Sequence, residues 1–432
     1  MAEDRILITG GAGFIGSRLA KELAEAGTPV TVFDNFLAQV HAGNPENRAR
    51  ISAQGIAVVD GDICDAAALE QTVRACNPTI IYHLAAETGT GQSFDLPTRY
   101  TDVNVMGTAH LVEAVRKAGP NVRRIILAGS RAVYGEGAYL DTTGRLTTAL
   151  AREDAAMEQG DFAVRDRAGT VLTPTATSAA CAVAPASVYA STKLMQEYLL
   201  QQAFWGTSVE VGILRLQNVF GPGQSLNNPY TGVLSIFCRQ IQEGATLAIY
   251  EDGEITRDFV MVDDVVNAFA LMGRASHMPH EIVDIGSGET VTIVDIASRL
   301  LGMFGAPRDR FVITGAFRPG DIRHAVADIS LARKALGWAP QISLDDGLDR
   351  LVAWSRIDPK DSVLPRVMTF ASAARMLRPW GSGLAAPCLP CRTGLARSRE
   401  TAQCCEKTWG RSNPGAHSDR GYDMTSRSTR QT

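Results

Sequence analysis

Short apolar blocks alternate with stretches of helical spacing through the first half of the chain. Ile6–Ile8, Val30–Phe33, Ala57–Asp60, Ile80–Leu84, Arg124–Ala128 and Glu210–Leu214 each concentrate apolar residues in three to five positions, the pattern of strands buried on both faces. The longer segments between them carry apolar residues three and four apart, as amphipathic helices do. This alternation predicts an α/β fold, a doubly wound parallel sheet of Rossmann type whose ligands lie at the C-terminal edge of the strands. Beyond about residue 220 come signals for a smaller α/β lobe, with some strands returning to the main sheet. Thr292, three residues before Asp295, predicts the cap of a helix running to about Met303, Gly337 the stop of a helix begun near Ser330, and Leu344–Trp354 a last helix. The expected domains are 1–220, interrupted by an insertion at about 137–186, and 221–357, with a disordered tail expected over 378–432.

The first block runs into Gly10, Gly11, Gly13 and Gly16 before a helical segment. Glycines let the backbone turn with positive φ and approach a ligand closely, and the helix N-terminus offers unpaired N–H groups to a pyrophosphate. The second block ends in Asp34, eighteen residues after Gly16. A carboxylate there can accept from both ribose hydroxyls of an adenosine and repels a 2′-phosphate, which selects NAD over NADP. The expected cofactor contacts are Gly10, Gly13, Phe14, Ile15, Gly16, Asp34, Asn35, Asp62, Ile63, Leu84, Ala85 and Ala86. Asp62 has an alternative role as the cap of the following helix. After His83, itself expected to be a packed structural histidine, the small residues to Gly89 let the backbone pass near the cofactor.

Ser130 ends the fifth strand, where it is either a reactive hydroxyl or a turn cap. Tyr189 and Lys193 stand four apart on one helix, so the ammonium lies on the phenol's face of that helix. A nearby cation favours the phenolate and lowers a pKa that is ordinarily about 10, which fits a general base.

The glycine loop, Asp34, the small residues after His83, Ser130 with Val133-Tyr134-Gly135, and Tyr189 with Lys193 together resemble the extended short-chain dehydrogenase/reductase family, which acts on nucleotide-diphosphate sugars. The resemblance extends from Arg5 to Trp354. Leu214 to Gly223 is similar to the family's turn into the sugar-nucleotide lobe, Arg257 to Val260 to its diphosphate-facing strand, and Arg318-Pro319-Gly320-Asp321 to the segment that holds the nucleoside. Dehydratases of the family carry an Asp-Glu pair where this chain has Arg131 and Ala132, so elimination lacks its acid and base. Ser130 to Gly137 and Gly223 to Gly232 look most like the dTDP-L-rhamnose 4-epimerases, with UDP-glucose 4-epimerase as a near relative. A sugar reductase or decarboxylase and a non-catalytic NAD-binding module are the alternatives.

The resemblance implies the roles. Ser130, Tyr189 and Lys193 are catalytic, and the latter two also touch the cofactor, as does Asn104, which is otherwise a buried structural amide. Glu87, Thr88, Ser130, Arg131, Asn218, Arg257, Arg318 and Asp321 bind the substrate. Arg257 and Arg318 suit a diphosphate because guanidinium is permanently charged and bidentate, with surface ion pairs as the alternative. Family members dimerise through two helices, here near Gly107–Lys117 and Tyr189–Phe204, so a homodimer is expected.

Composition narrows the remaining classes. The 432 residues are 45% hydrophobic with a formal net charge of −4, which suits an ordinary globular protein and offers no basic surface for nucleic acid. No apolar run is long enough for a bilayer, and the first residues lead straight into a strand, so a cytoplasmic protein without membrane contact is expected. Cys64, Cys76, Cys181 and Cys238 are scattered as reduced thiols would be. Cys388, Cys391, Cys404 and Cys405 lack zinc spacing, and no metal is expected. The tail has nine basic and four acidic residues and no helical periodicity. The insertion of about fifty residues reads as a long loop, functional or disordered.

Overall fold

A computed structural model describes residues 4–41, 46–226, 232–318 and 320–357. Seven parallel strands, β1 (Ile6–Thr9), β2 (Val30–Asp34), β3 (Ala57–Asp60), β4 (Ile80–His83), β5 (Arg124–Ser130), β6 (Glu210–Leu216) and β7 (Val283–Ile285), lie in the order β7-β6-β5-β4-β1-β2-β3. The direction of winding reverses between β1 and β4, which opens a crevice at their C-terminal ends. Helices α1 (Gly16–Glu25), α2 (Ala66–Cys76), α3 (Gly107–Ala118), α4 (Val188–Ala203) and α5 (Val262–Arg274) pack around this sheet.

The continuous apolar blocks are explained by two separate cores. Leu7, Phe33, Ile81 and Ile125 bury one face against Leu69 of α2 and Leu111 of α3. Their neighbours Ile8, Val32, Tyr82 and Ile126 bury the other against Leu19 of α1 and Phe269 of α5. Each fully buried side chain of this size contributes about 1.5–3 kcal/mol, so neither face of the sheet tolerates a polar residue cheaply.

β5 and β6 each run two residues past their expected ends, because Gly129 pairs with Arg215 and Ser130 with Leu216. Gly129 reads as a breaker in sequence. In the sheet a side chain there would press on the Leu214 carbonyl and the Glu197 carboxylate, each within about 3.2 Å of a built Cβ. β4 stops one residue early, at His83.

β7 arrives from the second lobe and completes the sheet beside β6. That lobe has its own core, in which Phe237, Leu247, Phe259, Ile296, Leu300 and Leu351 meet. Its helix signals are realised: Thr292 Oγ1 accepts from the Asp295 N–H at 3.1 Å to open Ile293–Met303, and Gly337, at φ +63°, ends Ser330–Leu336. The last helix runs three residues beyond its expected end, to Ile357.

The insertion is ordered, unlike the loop expected from its length. Ala138–Leu140 pairs antiparallel with Leu146–Thr148 and Thr173–Pro174, and Tyr139, Val164 and Leu172 form a small core beneath it. The hairpin turns because Asp141 Oδ1 accepts from the N–H groups of Thr143 and Arg145, at 2.8 and 3.0 Å. Residues 227–231, Pro319, the tail and its four cysteines lie outside the described residues. Among the described residues no helix is long and apolar enough to cross a membrane, no cluster of metal-ligating side chains occurs, and the four cysteines are free.

Candidate active site

The glycine loop sits in the crevice between β1 and β4. Gly10 holds φ +68°, and a Cβ there would stand 2.6 Å from the Ala85 nitrogen, while one on Gly16 would stand 2.5 Å from the Gly10 carbonyl. The loop is therefore as tight as the backbone allows, and the segment after β4 passes directly beside it. Phe14 and Ile15 lie partly buried where the loop enters α1, and Gly13 caps the turn through its N–H to the Gly10 carbonyl at 3.2 Å.

Asp34 is 8% exposed. Its Oδ2 accepts from Ala12 N–H and its Oδ1 from Phe36 N–H, both at 2.9 Å, and His41 Nε2 lies 3.4 Å away. The carboxylate thus ties the glycine loop to the end of β2. Each carboxylate oxygen accepts more than one donor, so both can also face ribose hydroxyls. Glycines at contact distance, a helix N-terminus and this acid together fit a dinucleotide with an unphosphorylated adenosine ribose.

Asn35 Nδ2 donates to Asp62 Oδ2 at 2.9 Å, and Asp62 Oδ1 accepts from Cys64 N–H at 2.8 Å. Burial raises the Asp62 pKa, but these two bonds outweigh it and leave the carboxyl below its usual range. Capping of α2 falls instead to Asp65, whose Oδ1 accepts from Ala67 and Ala68. Ile63 is buried against Gly107 at the start of α3.

Leu84 continues the line of β4 through its N–H to the Thr9 carbonyl, at 3.0 Å, and Ala85 and Ala86 follow. His83 is buried, with Nδ1 2.8 Å from Thr9 Oγ1 and Nε2 2.9 Å from Thr108 Oγ1. Burial, and after it the Lys193 charge, push its pKa down to about 3. It is a neutral, packed histidine.

At the end of β5, the Ser130 hydroxyl stands close enough to the Tyr189 phenol to lower its pKa. The edge of β5 presents the serine, whose Oγ also accepts from Ala132 N–H at 3.1 Å, so the residue is both a turn cap and a partner of the phenol. Ser187 starts α4 by accepting from Ala190 N–H at 3.1 Å, which places Tyr189 in the first turn. Burial raises the Tyr189 pKa and the Ser130 hydroxyl lowers it, with burial prevailing, so the lowering expected from Lys193 is not realised: the Lys193 ammonium is turned to Gln196. Lys193 is buried and donates to Gln196 Oε1 at 2.7 Å. Burial lowers its pKa to about 8, against the pull of Glu197.

Asn104 belongs to a π-helical turn over Thr101–Met106 and is fully buried. Its Oδ1 accepts from Glu87 N–H at 2.8 Å, and its Nδ2 donates to the Glu87 carbonyl at 3.1 Å and to Thr192 Oγ1 at 2.9 Å. Both amide hydrogens are thereby used to lock the Glu87 backbone to α4. The Glu87 carboxylate is held by Arg99 at 2.6 Å, and the Thr88 carbonyl accepts from Tyr100 at 2.7 Å. Tyr100 in turn stands edge-on to the Tyr189 ring, 6.3 Å between centroids.

Arg257 and Asp321 come together, while Arg318 stands apart on Tyr250. Arg257 Nη2 pairs with Asp321 Oδ1 at 3.2 Å, and Arg318 lies over the Tyr250 ring at 4.7 Å. Asp258, next to Arg257, is fully buried and accepts from Ser287, Gly288 and Ala327. Asn218 begins a short strand and donates its N–H to the Asp258 carbonyl at 3.1 Å. Arg131 turns from Tyr189 toward the insertion, buried, with Nη2 on the Gly135 carbonyl at 2.7 Å and Nε without a partner. Burial and the facing Arg257 bring its pKa to about 10.

Gln196, Thr192, Thr9 and Thr108, which bond to Lys193, Asn104 and His83, carry no motif in the sequence. Only the helical spacing of Lys193 and Gln196 could have pointed to one of them.

Residues 7–144 match the family model described as GDP-mannose 4,6 dehydratase, and residues 167–286 that of the NAD dependent epimerase/dehydratase family. The chain is 41% identical to dTDP-L-rhamnose 4-epimerase of Burkholderia thailandensis, over 81% of this chain and 94% of that one. It is 32% identical to UDP-glucose 4-epimerase of Mycolicibacterium smegmatis, over 82% and 98%. Among solved structures, UDP-glucose 4-epimerase of Thermotoga maritima with UDP-glucose superposes with TM-score 0.65 at 28% identity, covering 82% of this chain and 98% of that one. UDP-glucuronic acid 4-epimerase of Bacillus cereus, in complex with UDP-glucuronic acid and NAD, gives 0.65 at 26%, covering 82% and 99%.

Proposed function

The chain belongs to the NAD-dependent epimerase/dehydratase family, and from that premise we propose that it inverts carbon 4 of dTDP-L-rhamnose to give dTDP-6-deoxy-L-talose. The observation that carries this reading is the Ser130–Tyr189 hydroxyl pair, beside which Arg131 and Ala132 stand instead of an acid pair suited to elimination. The identity to a dTDP-L-rhamnose 4-epimerase supports the choice of sugar.

In this mechanism Tyr189, deprotonated against the effect of its burial, takes the proton of the carbon-4 hydroxyl, and Ser130 holds the oxygen from which it leaves. NAD, when bound, would supply a hydride acceptor for carbon 4 and a hydride donor for its opposite face. Tyr189 then gives its proton back to the same oxygen, so nothing is consumed. Lys193 contributes positive charge to the α4 face that carries the phenol. Gly10, Gly13, Gly16 and Asp34 would hold the dinucleotide, while Arg257, Arg318 and Asp321 of the lobe over 221–357 hold the nucleoside diphosphate of the substrate.

Incubation of the purified protein, without added cofactor, with dTDP-L-rhamnose and separately with UDP-glucose should convert the first, followed by NMR at carbon 4. Conversion of UDP-glucose alone would sink the choice of sugar, and turnover of either only with added NADH would sink epimerisation.

The same reading includes a cytoplasmic homodimer. Large apolar side chains stand exposed on and beside the two helices concerned, with Met106, Met195 and Tyr198 near half exposed and Trp205 at 83%. Light scattering should give about twice the chain mass, and Tyr198→Glu should lower it toward that of one chain. A monomeric wild type would dismiss this interface.

A further inference from the structure

The insertion meets the segment after Gly315 at several points, with Met157 and Phe162 against Phe317 and Thr177 bridged to Ala327, and one of its side chains reaches Asp321 itself. Arg152, whose side chain is 3% exposed, pairs through Nε with Glu136 Oε1 at 2.9 Å and through Nη1 with Glu251 Oε2 at 2.8 Å. Its Nη2 donates to the backbone carbonyl of Asp321 at 2.9 Å. Arg323 closes the network, on Glu251 at 2.7 Å and bidentate on Asp252 at 2.6 and 2.7 Å, while its N–H donates to Glu136 Oε2 at 2.8 Å.

Two features point beyond simple support. A cavity of about 230 Å³, walled by Ala138, Leu146, Met157, Ala184 and Ile322 among others, lies between the insertion and this segment. Phe317 and Ile322 are buried on either side of Asp321, whose own carbonyl and carboxylate are held by directional polar contacts to Arg152 and Arg257. The network also carries costs: Glu251 holds φ +52°, and its Oε1 is buried without a partner. Buried ion networks contribute weakly to stability, and local strain gathers where geometry matters for function.

We propose, resting on the nucleotide-sugar reading above, that Arg152 is a positioning residue: by gripping the Asp321 carbonyl it sets Asp321 against Arg257, so that the insertion governs affinity for the nucleoside diphosphate. The chemistry at carbon 4 lies elsewhere, on Ser130 and Tyr189. A defect at Arg152 therefore separates binding from turnover.

The test uses the full chain with its retained NAD, calorimetric titration with dTDP and with UDP, and steady-state turnover. Arg152→Gln should weaken the preferred nucleotide about tenfold or more and raise KM in parallel, with kcat within about threefold and NAD content unchanged. Arg152→Lys should recover part of the affinity, since an ammonium can serve some of the three acceptors. Should Arg152→Gln leave Glu136 uncompensated and fail to fold, the Arg152→Gln/Glu136→Gln double variant removes the facing charges together and should show the same loss of affinity. Unchanged affinity in a folded variant overturns the proposal, as does joint loss of nucleotide and NAD in both variants, which would make Arg152 a general prop of the fold. A wild type that binds neither probe would overturn the nucleotide-sugar reading itself, and this inference with it.

Discussion

Tyr189→Phe should lower kcat by about a thousandfold or more while NAD remains bound. Loss of a positioned acid–base group removes roughly 10²–10⁴ in rate, and here the same group acts twice in each turnover, once on each face of the sugar. The ring itself should stay in place, because its edge-on contact with Tyr100 at 6.3 Å does not involve the hydroxyl. The Ser130 bond is lost, at a cost of about 1 kcal/mol typical of one neutral hydrogen bond, so melting should shift little. Quenched samples assayed for released NAD, alongside turnover at carbon 4, separate the two effects. Activity within tenfold of wild type would remove Tyr189 from the role of base. Loss of NAD along with turnover would instead make it a cofactor-holding residue.

A second large effect is expected away from the chemistry. Glu197 on α4 is fully buried and meets Arg215 of β6 in a two-pronged pair, Nε to Oε1 at 3.0 Å and Nη2 to Oε2 at 2.6 Å. The Arg215 guanidinium lies over the Tyr134 ring at 4.6 Å, and Tyr134 donates to the Asp284 carboxylate of β7 at 2.9 Å. Removing one partner of such a pair leaves a charge in a low-dielectric interior, which costs about 3–5 kcal/mol. Glu197→Ala should therefore move the urea midpoint sharply down with little change in slope. Replacing both partners by Met should recover most of that loss, since the orphaned charge goes too. If Glu197→Ala costs less than about 1 kcal/mol, water reaches the site and the pair is not dry.

The parts of the molecule visible in sequence are those with a local cause. Gly10 and Gly16 must be glycine because backbone stands where a Cβ would be, and Asp34 closes the loop from a fixed distance along the chain. Thr292 and Gly337 begin and end their helices through contacts only a few residues away. What escaped notice depends on partners far off. Gly129 lies inside a strand because β6, eighty-six residues on from its start, supplies the pairing partner. The order in the insertion rests on Tyr139 packing against Val164 and Leu172, which no short-range period announces. Arg152 looks like any surface arginine until Glu136, Glu251 and Asp321 are seen around it. Asn104 matches a position of the family pattern, yet its use of both amide hydrogens on Glu87 and Thr192 follows only from the π-helical turn that aims it.

The long pairing of β5 with β6 also bears on how the protein is made. Arg124 faces Glu210 in register, with the insertion and all of α4 between them. On a ribosome adding roughly 5–20 residues per second, the open side of β5 waits several seconds for its neighbour. Ile125, Ile126 and Leu127 line it throughout. An apolar strand edge left bare for that time invites pairing with another nascent chain. Slow translation or crowded expression should thus convert this enzyme to inclusion bodies more readily than its finished, fully buried sheet would suggest, and chaperones that shield strand edges should raise the yield.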